Sequence, residues 1–455
     1  MVIVILGAGD IGASIATHLV MEHNDVTIVD ENPAKLERLQ TRLDIQTVCG
    51  CASYPDVLAN AGIQEADMLL AVTDSDEINM IACQIAYTLH KTPIKIARIR
   101  SSHYANPHIY ANHHIPIDVR INPDLLVTSA ILRLIRYPGT EDILDFYHGD
   151  ILLASIKFDA QHPLANSSFN NIKAQIRDLN AFAVARFQHK KIIPMTSDFS
   201  ITAQDQIYFL TTPLALDQLT TRLGKNKQAN CRIIIGGGGH IGSKLARSLE
   251  ANYQVKVIEK NPLIARELAS VLNHSDVLEG DIADSELLLS ENIQATDLFC
   301  AVTNEDEANI MSCLQAKHLG VRQTITLINR KTYVPLIEDS PIDHAISPEL
   351  ITAGNILTKV RRGHMLTVHR LKNTNSEMIE LILLNHDEQS SIINQRLCDI
   401  ALPMDCFIVG VVRAHELLEP NANFRFQKHD HLFILMLNQH HLDDLEQLFQ
   451  LPFKH

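Results

Sequence analysis

The chain has 455 residues, a length that suits about three domains or a larger number of small ones, and with 46% of them hydrophobic and 20% charged it is not a disordered chain. Lys and Arg total 39 against 53 Asp and Glu, and the formal charge of −14 lacks the electrostatic footprint of a general nucleic-acid binder. No apolar run approaches the roughly 20 residues that span a bilayer, and the opening MVIVILGAG, with no basic stretch, does not read as a signal peptide.

Strands and helices alternate from the start. VIVIL is a β-rich run closed by Gly7-Ala8-Gly9-Asp10-Ile11-Gly12, after which Ile11, Ile15 and Leu19 recur every four residues, the stripe of a helix packed on a sheet. VTIV runs into Asp30, MLLAV into Thr73 and Asp74, and IKIARI carries Arg98. This alternation predicts a parallel, doubly wound, Rossmann-like α/β sheet over residues 1–122. NPDLLVTSAILRLIRYPG (122–139) is a Pro-led amphipathic helix with more apolar residues than one stripe needs, which predicts a helix that leaves its own domain to pack on a partner. Residues 143–224 read as a smaller α+β unit of short strands, and polar LGKNKQAN (223–230) as a linker. The eight cysteines are scattered, and Cys49 and Cys51 lack the CxxC spacing, so buried or idle thiols of a reducing cytoplasm are expected.

The pattern then repeats. Gly237-Gly238-Gly239-His240-Ile241-Gly242 restates the first turn, with Ile241, Leu245 and Leu249 as its stripe. VKVIEKNP, holding Glu259, restates VTIVDENP, and TDLFCAVTNEDEAN, with Thr303 and Asn304, restates ADMLLAVTDSDEIN. LINR, ending in Arg330, answers ARIR, and SPELITAGNILTKVRRGH answers the Pro-led helix. The chain is a duplication, with a second Rossmann-like domain over 231–348 and a second small α+β unit over 368–452.

Each Gly turn follows an apolar strand and opens a helix, the context in which GxGxxG binds a dinucleotide. The first Gly permits the tight turn, the second admits a pyrophosphate to backbone N–H groups, and the third lets helix and strand pack, while the helix N-terminus attracts phosphate. Asp30 and Glu259 end the second strands, where a carboxylate accepts ribose hydroxyls and favours NAD(H) or an adenosine nucleotide over NADP(H); Lys260 weakens that exclusion in the second site. Four glycines in a row, Gly236 to Gly239, leave the register of the second loop open. Thr73, Asp74, Thr303 and Asn304 lie where open α/β sheets bind ligands, although Asp74 and Asn304 also fit as helix N-caps with Glu77 and Glu307 completing a capping box. Arg98 and Arg330 are placed either to pair with phosphate or to form a surface or interface salt bridge. Asp281 gives the second copy an extra carboxylate where the first has Cys51, so the two sites hold different nucleotides or one nucleotide with different affinity.

GAGDIG, Asp30, AVTDSDEIN and ARIR, with their duplicated forms, resemble the RCK or KTN domains that regulate potassium conductance, and HPLANSSF (162–169) resembles the Pro-Leu signature of RCK C-terminal units. The resemblance covers essentially the whole chain and implies RCK N-type domains at 1–122 and 231–348 and C-type domains at 143–224 and 368–452. Cys51 departs from the Asp common after the third strand, and the quadruple glycine and Glu259 are departures in the second copy. The resemblance further implies a non-enzymatic regulator with NAD(H) or ATP/ADP as ligands. It would act on the cytoplasmic face of a bacterial inner membrane, as a homotetramer whose eight Rossmann-like domains form a ring beneath a membrane-embedded potassium-transporter subunit.

The fingerprint also serves nicotinamide enzymes, and an NAD-dependent oxidoreductase with a duplicated Rossmann domain is the alternative. The small β-rich units offer no evident His base with a substrate-clamping Arg. His113-His114, His429 with His431, and His440-His441 lack the HExxH spacing of a zinc site and read as solvated polar faces. A ring protein without ligand is the remaining rival.

Overall fold

The computed structural model describes residues 1–158, 169–189, 191–195, 202, 205–223, 231–337, 340–360, 365–371, 374–384, 392–438 and 441–449. HPLANSSF apart from Phe169, the linker beyond Leu223, and His440 lie outside them. The chain divides into two compact units, one of residues 1–131 with 229–356 and the other of 132–228 with 357–455. The division falls inside the two Pro-led helices, Pro123–Arg136 and Pro348–Val360. Among the described residues no helix is long and apolar enough to cross a membrane.

The first unit holds two parallel sheets. One is built from β1 (Val2–Leu6), β2 (Asp25–Asp30), β3 (Gln46–Cys49), β4 (Met68–Ala71), β5 (Ile94–Arg98) and β6 (Val119–Ile121), in the order β3-β2-β1-β4-β5-β6. The central strands are buried on both faces, as near-continuous apolar runs require. Ile15 and Leu19 of the helix Asp10–Met21 are buried as the stripe predicts, whereas Ile11 is only half-buried.

The second parallel sheet comes later in the chain, after the five strands β7 (Thr140–Phe146), β8 (Ile151–Lys157), β9 (Ala181–Gln188), β10 (Lys191–Pro194) and β11 (Gln206–Thr211). It comprises β12 (Arg232–Gly236), β13 (Gln254–Glu259), β14 (Asp276–Glu279), β15 (Leu298–Ala301), β16 (Gln323–Leu327) and β17 (His344–Ile346), in the order β14-β13-β12-β15-β16-β17. Gly236 is the last residue of β12, and a Cβ there would lie 2.7 Å from the Ile282 side chain. The first copy has Leu6 and Ala52 at these places, so the fourth glycine is a packing exchange of large for small and not part of the loop.

The copies differ by one residue in the helix after the fourth strand. In the second it is a plain α-helix, Asp306–His318; in the first, Asp76–Ile85 continues into a π turn, Ala86–His90. Buried Ala86 and Ala316 match, and left-handed Lys91 and Gly320 close the two helices. Thr92 N–H reaches back to Ala86 while Val321 N–H reaches Ala316, one residue less. A π turn absorbs an inserted residue without rotating the helix face before it. Through the fifth strand that follows, the copies run one residue out of step.

The second unit holds two antiparallel sheets of like topology, β10-β9-β11-β8-β7 and, from β18 (Met365–Arg370), β19 (Glu377–Ile382), β20 (Cys406–Arg413), β21 (Glu416–Leu418) and β22 (His431–Met436), β18-β19-β22-β20-β21. Phe146, Leu153, Tyr208 and Leu210 share one core with Met378, Phe433 and Leu435, so the two sheets pack on each other. His431 is not a solvated residue as its sequence neighbourhood suggested. It is mostly buried, with Nδ1 2.9 Å from Oε1 of buried Glu380, whose Oε2 accepts the Tyr147 N–H at 3.0 Å. A histidine inside such a core is affordable because a carboxylate and its neighbours satisfy it.

Candidate functional site

Each parallel sheet reverses its winding between the strand that carries the Gly turn and the fourth strand, and the crevice at their C-terminal ends holds the predicted residues. Gly7 has φ +104° and Gly237 φ +106°, a left-handed region open to Gly, and a Cβ on either would lie 3.1 Å from the backbone of Thr73 or Thr303. A Cβ on Gly12 would lie 1.9 Å from the Gly7 carbonyl oxygen, and one on Gly242 1.8 Å from that of Gly237. The register of the second loop is therefore Gly237, Gly239, Gly242.

Gly9 and Gly239 differ from these. Nothing lies within 4 Å of a Cβ built on either, and each is the N-cap of its helix without a side-chain cap. The next helix in each copy is closed by Asn32 or Asn261, whose side chains accept the first free N–H groups. The helices behind the Gly turns thus leave their N–H groups open to a ligand, with the positive end of the helix dipole beside them. Asp10 and His240, the first residues of those helices, are exposed, and Ile11 and Ile241 are half-buried.

Asp30 and Glu259 hold the loops from beneath. Asp30 accepts Ala8 N–H at 2.7 Å and Asn32 N–H at 2.8 Å; Glu259 accepts Gly238 N–H at 2.6 Å and Asn261 N–H at 2.7 Å. Each oxygen keeps a lone pair for a ribose hydroxyl. The longer carboxylate is matched by the smaller loop residue, since a Cβ on Gly238 would lie 3.2 Å from Glu259 Oε2.

The turn after the fourth strand is organised by residues that sequence reading quoted but did not single out. Fully buried Asn79 accepts the Thr73 N–H at 3.1 Å and its hydroxyl at 2.7 Å and donates to the Thr73 and Arg98 carbonyls. Asn309 does the same for Thr303, donating to Thr303 and Leu327. Buried Asp76 accepts the N–H groups of Arg100 and Ser101, and Asp306 those of Asn329 and Arg330. The signal was in the duplication: polar residues repeated inside otherwise apolar helices.

Asp74 and Asn304 are not N-caps. Ser75 caps the first helix by accepting Ile78 N–H, and Glu305 occupies the cap of the second without a side-chain bond. Both Asp74 and Asn304 are exposed at the crevice rim. Arg98 and Arg330 are not equivalents either. The one-residue slip places Leu327 where Arg98 stands, and Arg330 where Ser101 stands. Arg98 Nη1 lies 2.9 Å from Asp74 Oδ1 and 3.4 Å from the Thr73 carbonyl, at the crevice, whereas Arg330 pairs with Glu307 and Tyr333. The Tyr333 hydroxyl and the charge on Glu307 hold the Arg330 guanidinium more firmly protonated than usual.

At the other end of the second crevice Asp281 takes Lys260 Nζ at 2.9 Å and the Ala283 N–H, and these, Lys260 foremost, lower its carboxyl below the usual range. In the first copy Cys51 instead lies 3.3 Å from the Ser53 hydroxyl. Among the described residues no three His, Cys, Asp or Glu side chains are grouped to hold a metal.

The TrkA-N domain family matches residues 3–123 and again 233–348. Over 451 residues the chain is 39% identical to the Trk system potassium uptake protein TrkA of Halomonas elongata, with 99% of each chain covered. The chain belongs to the TrkA family. A second TrkA, from Vibrio alginolyticus, is also 39% identical, over 452 residues and 99% of both chains. Among solved structures, the GsuK RCK domain aligns with TM-score 0.62 at 17% identity, covering 98% of this chain and 94% of that one. The GsuK channel bound to NAD aligns with TM-score 0.61 at 17% identity, covering 98% and 78%. At that identity these likenesses speak for the fold, which is the RCK arrangement of a parallel sheet followed by an antiparallel one.

Proposed function

We propose that this TrkA-family chain is a non-catalytic, nucleotide-sensing regulatory subunit that gates a Trk-type membrane potassium transporter. In this reading NAD(H) or ATP/ADP occupies each crevice. Four chains form a ring of eight Rossmann-like domains on the cytoplasmic face of the bacterial inner membrane, and occupancy biases the shape of that ring. The supporting observation is the pair of uncapped helix starts at Gly9 and Gly239, each beside open space and above a carboxylate that pins the loop. A bound nucleotide supplies charge and contacts there, not chemistry. The site residues act by holding it: the loop and helix N–H groups face its phosphates, Asp30 and Glu259 its ribose, and Thr73 and Thr303 the wall opposite. The NAD-bound neighbour of like fold and the potassium-uptake names of the relatives point the same way.

A ligand moves such an equilibrium only through its differential affinity for two states, typically ~1–3 kcal/mol of coupling. Gly9→Val is the cleaner probe, because it fills space that no protein atom uses, whereas Asp30→Ala also frees the Ala8 and Asn32 N–H groups. With the full chain and its transporter, Gly9→Val is expected to weaken nucleotide binding and to make potassium uptake insensitive to nucleotide while assembly persists. Unchanged nucleotide affinity, or steady NADH turnover with a small substrate by the wild-type chain, would overturn the reading, the latter in favour of an oxidoreductase.

A further inference from the structure

Of the chain's eight cysteines, two stand at the mouth of the first crevice, on either side of Gly50. Cys49 ends β3 and pairs in register with Asp30, the carboxylate beneath the Gly turn. The second copy has Glu279 and Asp281 at the places of Cys49 and Cys51, so the thiol pair belongs to the first crevice alone.

These two are also accessible. Cys49 is exposed, and Cys51 is half-buried with its Sγ 3.3 Å from the Ser53 hydroxyl. Burial pushes the thiols of Cys83 and Cys313 up to about 12 and those of Cys231 and Cys406 up to about 11, and it raises that of Cys300 as well. Such thiols stay protonated and inert. Cys398 is exposed but lies eight residues from the next cysteine in sequence. Two residues of chain span at most about 7 Å between α-carbons and a disulfide needs about 4.4–6.8 Å, so a small bend brings Cys49 and Cys51 within reach. Gly50 between them opposes that bend least.

We propose that Cys49 and Cys51 form a reversible thiol–disulfide switch, closed by hydrogen peroxide and opened by a dithiol reductant, that weakens ligand binding in the first crevice alone. The Cys49 sulfur attacks one peroxide oxygen and breaks the O–O bond, giving a sulfenic acid and one water. The Cys51 sulfur then attacks the sulfenic sulfur, forming the S–S bond and expelling a second water. The two thiols give up two electrons and two protons, and the peroxide is reduced to two waters. The bridge reaches the ligand site through Gly50, whose N–H donates to the Asp30 carbonyl at 3.1 Å. Drawing the two cysteines together displaces that link and the Asp30 carboxylate, which holds the loop by the Ala8 N–H. The effect on ligand rests on the nucleotide reading of the crevice; the disulfide itself does not.

The test treats the full chain with hydrogen peroxide, in a Gly239→Val background that silences the second crevice, and reads peptide masses and ADP affinity. The peptide holding both cysteines is expected to lose two hydrogens, and ADP binding to weaken at least about fivefold, the size of one hydrogen bond. Dithiothreitol should restore both. Cys51→Ser is expected to stop at a sulfenic acid that dimedone traps, and Cys398→Ser to change nothing. Absence of the bridged peptide, or a bridged chain that binds ADP as the reduced one does, would overturn the switch. If Gly9→Val in the reduced chain leaves ADP binding intact, the crevice reading falls and takes the ligand effect with it, whereas the peptide mass still decides whether the thiols bridge.

Discussion

The two parallel sheets agree in their buried polar frame and disagree at the crevice rim. Asn79 and Asn309 make the same four bonds, Asp76 and Asp306 tie the same strand exit, and the glycines at the first and third loop positions meet the same atoms at nearly the same distances. At the rim, Asp74 and Cys51 of the first copy stand where the second has Asn304 and Asp281. A buried donor or acceptor must be satisfied by one particular partner, so the frame tolerates little drift. A rim group can turn to water, so it is free to diverge and to give each copy its own ligand preference. Packing shows an intermediate freedom: Leu6 with Ala52 becomes Gly236 with Ile282, changed as a pair.

The sharpest way to break the comparison is at the frame. Gly12→Ala and Gly242→Ala force a Cβ to within 2 Å of a carbonyl oxygen, and each is expected to destabilise its sheet by more than about 4 kcal/mol, read by denaturant unfolding. Gly9→Ala and Gly239→Ala, with no neighbour within 4 Å, are expected to cost only about 1 kcal/mol, the N-cap preference for Gly over Ala. A similar loss at both kinds of glycine would mean that the open space beside Gly9 and Gly239 is needed by the fold, not by a ligand.

Next in size, Asn79→Ala and Asn309→Ala strand buried polar groups at about 1–3 kcal/mol each and should cost nearly the same in the two copies, on the order of 3 kcal/mol. A large difference between them would show that the frames are not equivalent.

The smallest expected effect concerns the antiparallel sheets, whose copies also differ. Half-buried His369 donates its Nε2–H to the Asp145 carbonyl across the sheet pair at 2.9 Å, at the strand position where the first sheet has Leu144. Burial holds its imidazole below the ordinary value near 6.5, against the pull of the Asp145 carbonyl and the charges of Asp145 and Glu380, and Arg133 lowers it further. The folded state therefore prefers the neutral ring. Its contribution is present above about pH 6.5 and is lost as pH falls below that value toward the depressed one. The unfolding midpoint is expected to drop between pH 7 and pH 5, and His369→Leu to remove part of that drop. An equal drop in the variant would place the acid sensitivity elsewhere.

Duplication made most of this legible in advance. Two copies of GxGxxG, of the carboxylate at the end of the second strand, and of AVT-x-x-DE-x-N fixed the sheets and the crevice, because loop sterics leave a sequence signature at set spacings. Three things were not legible. The match of ARIR with LINR hid the slip that puts Leu327 opposite Arg98, since a π turn has no signature in composition. Asp74 and Asn304 had the chemistry of caps but stand one residue early in the first copy, where Ser75 takes the role. His431 looked solvated among polar neighbours because Glu380, the partner that buries it, lies on another strand.

Binding stoichiometry tests the two-crevice account most directly: isothermal titration of the full chain with ADP and with NADH, beside Gly9→Val, Gly239→Val and the double variant. Two nucleotides per wild-type chain, one for each single variant and none for the double variant is the predicted result. Stoichiometry that survives both substitutions unchanged would contradict the claim that these Gly turns are where the nucleotide sits.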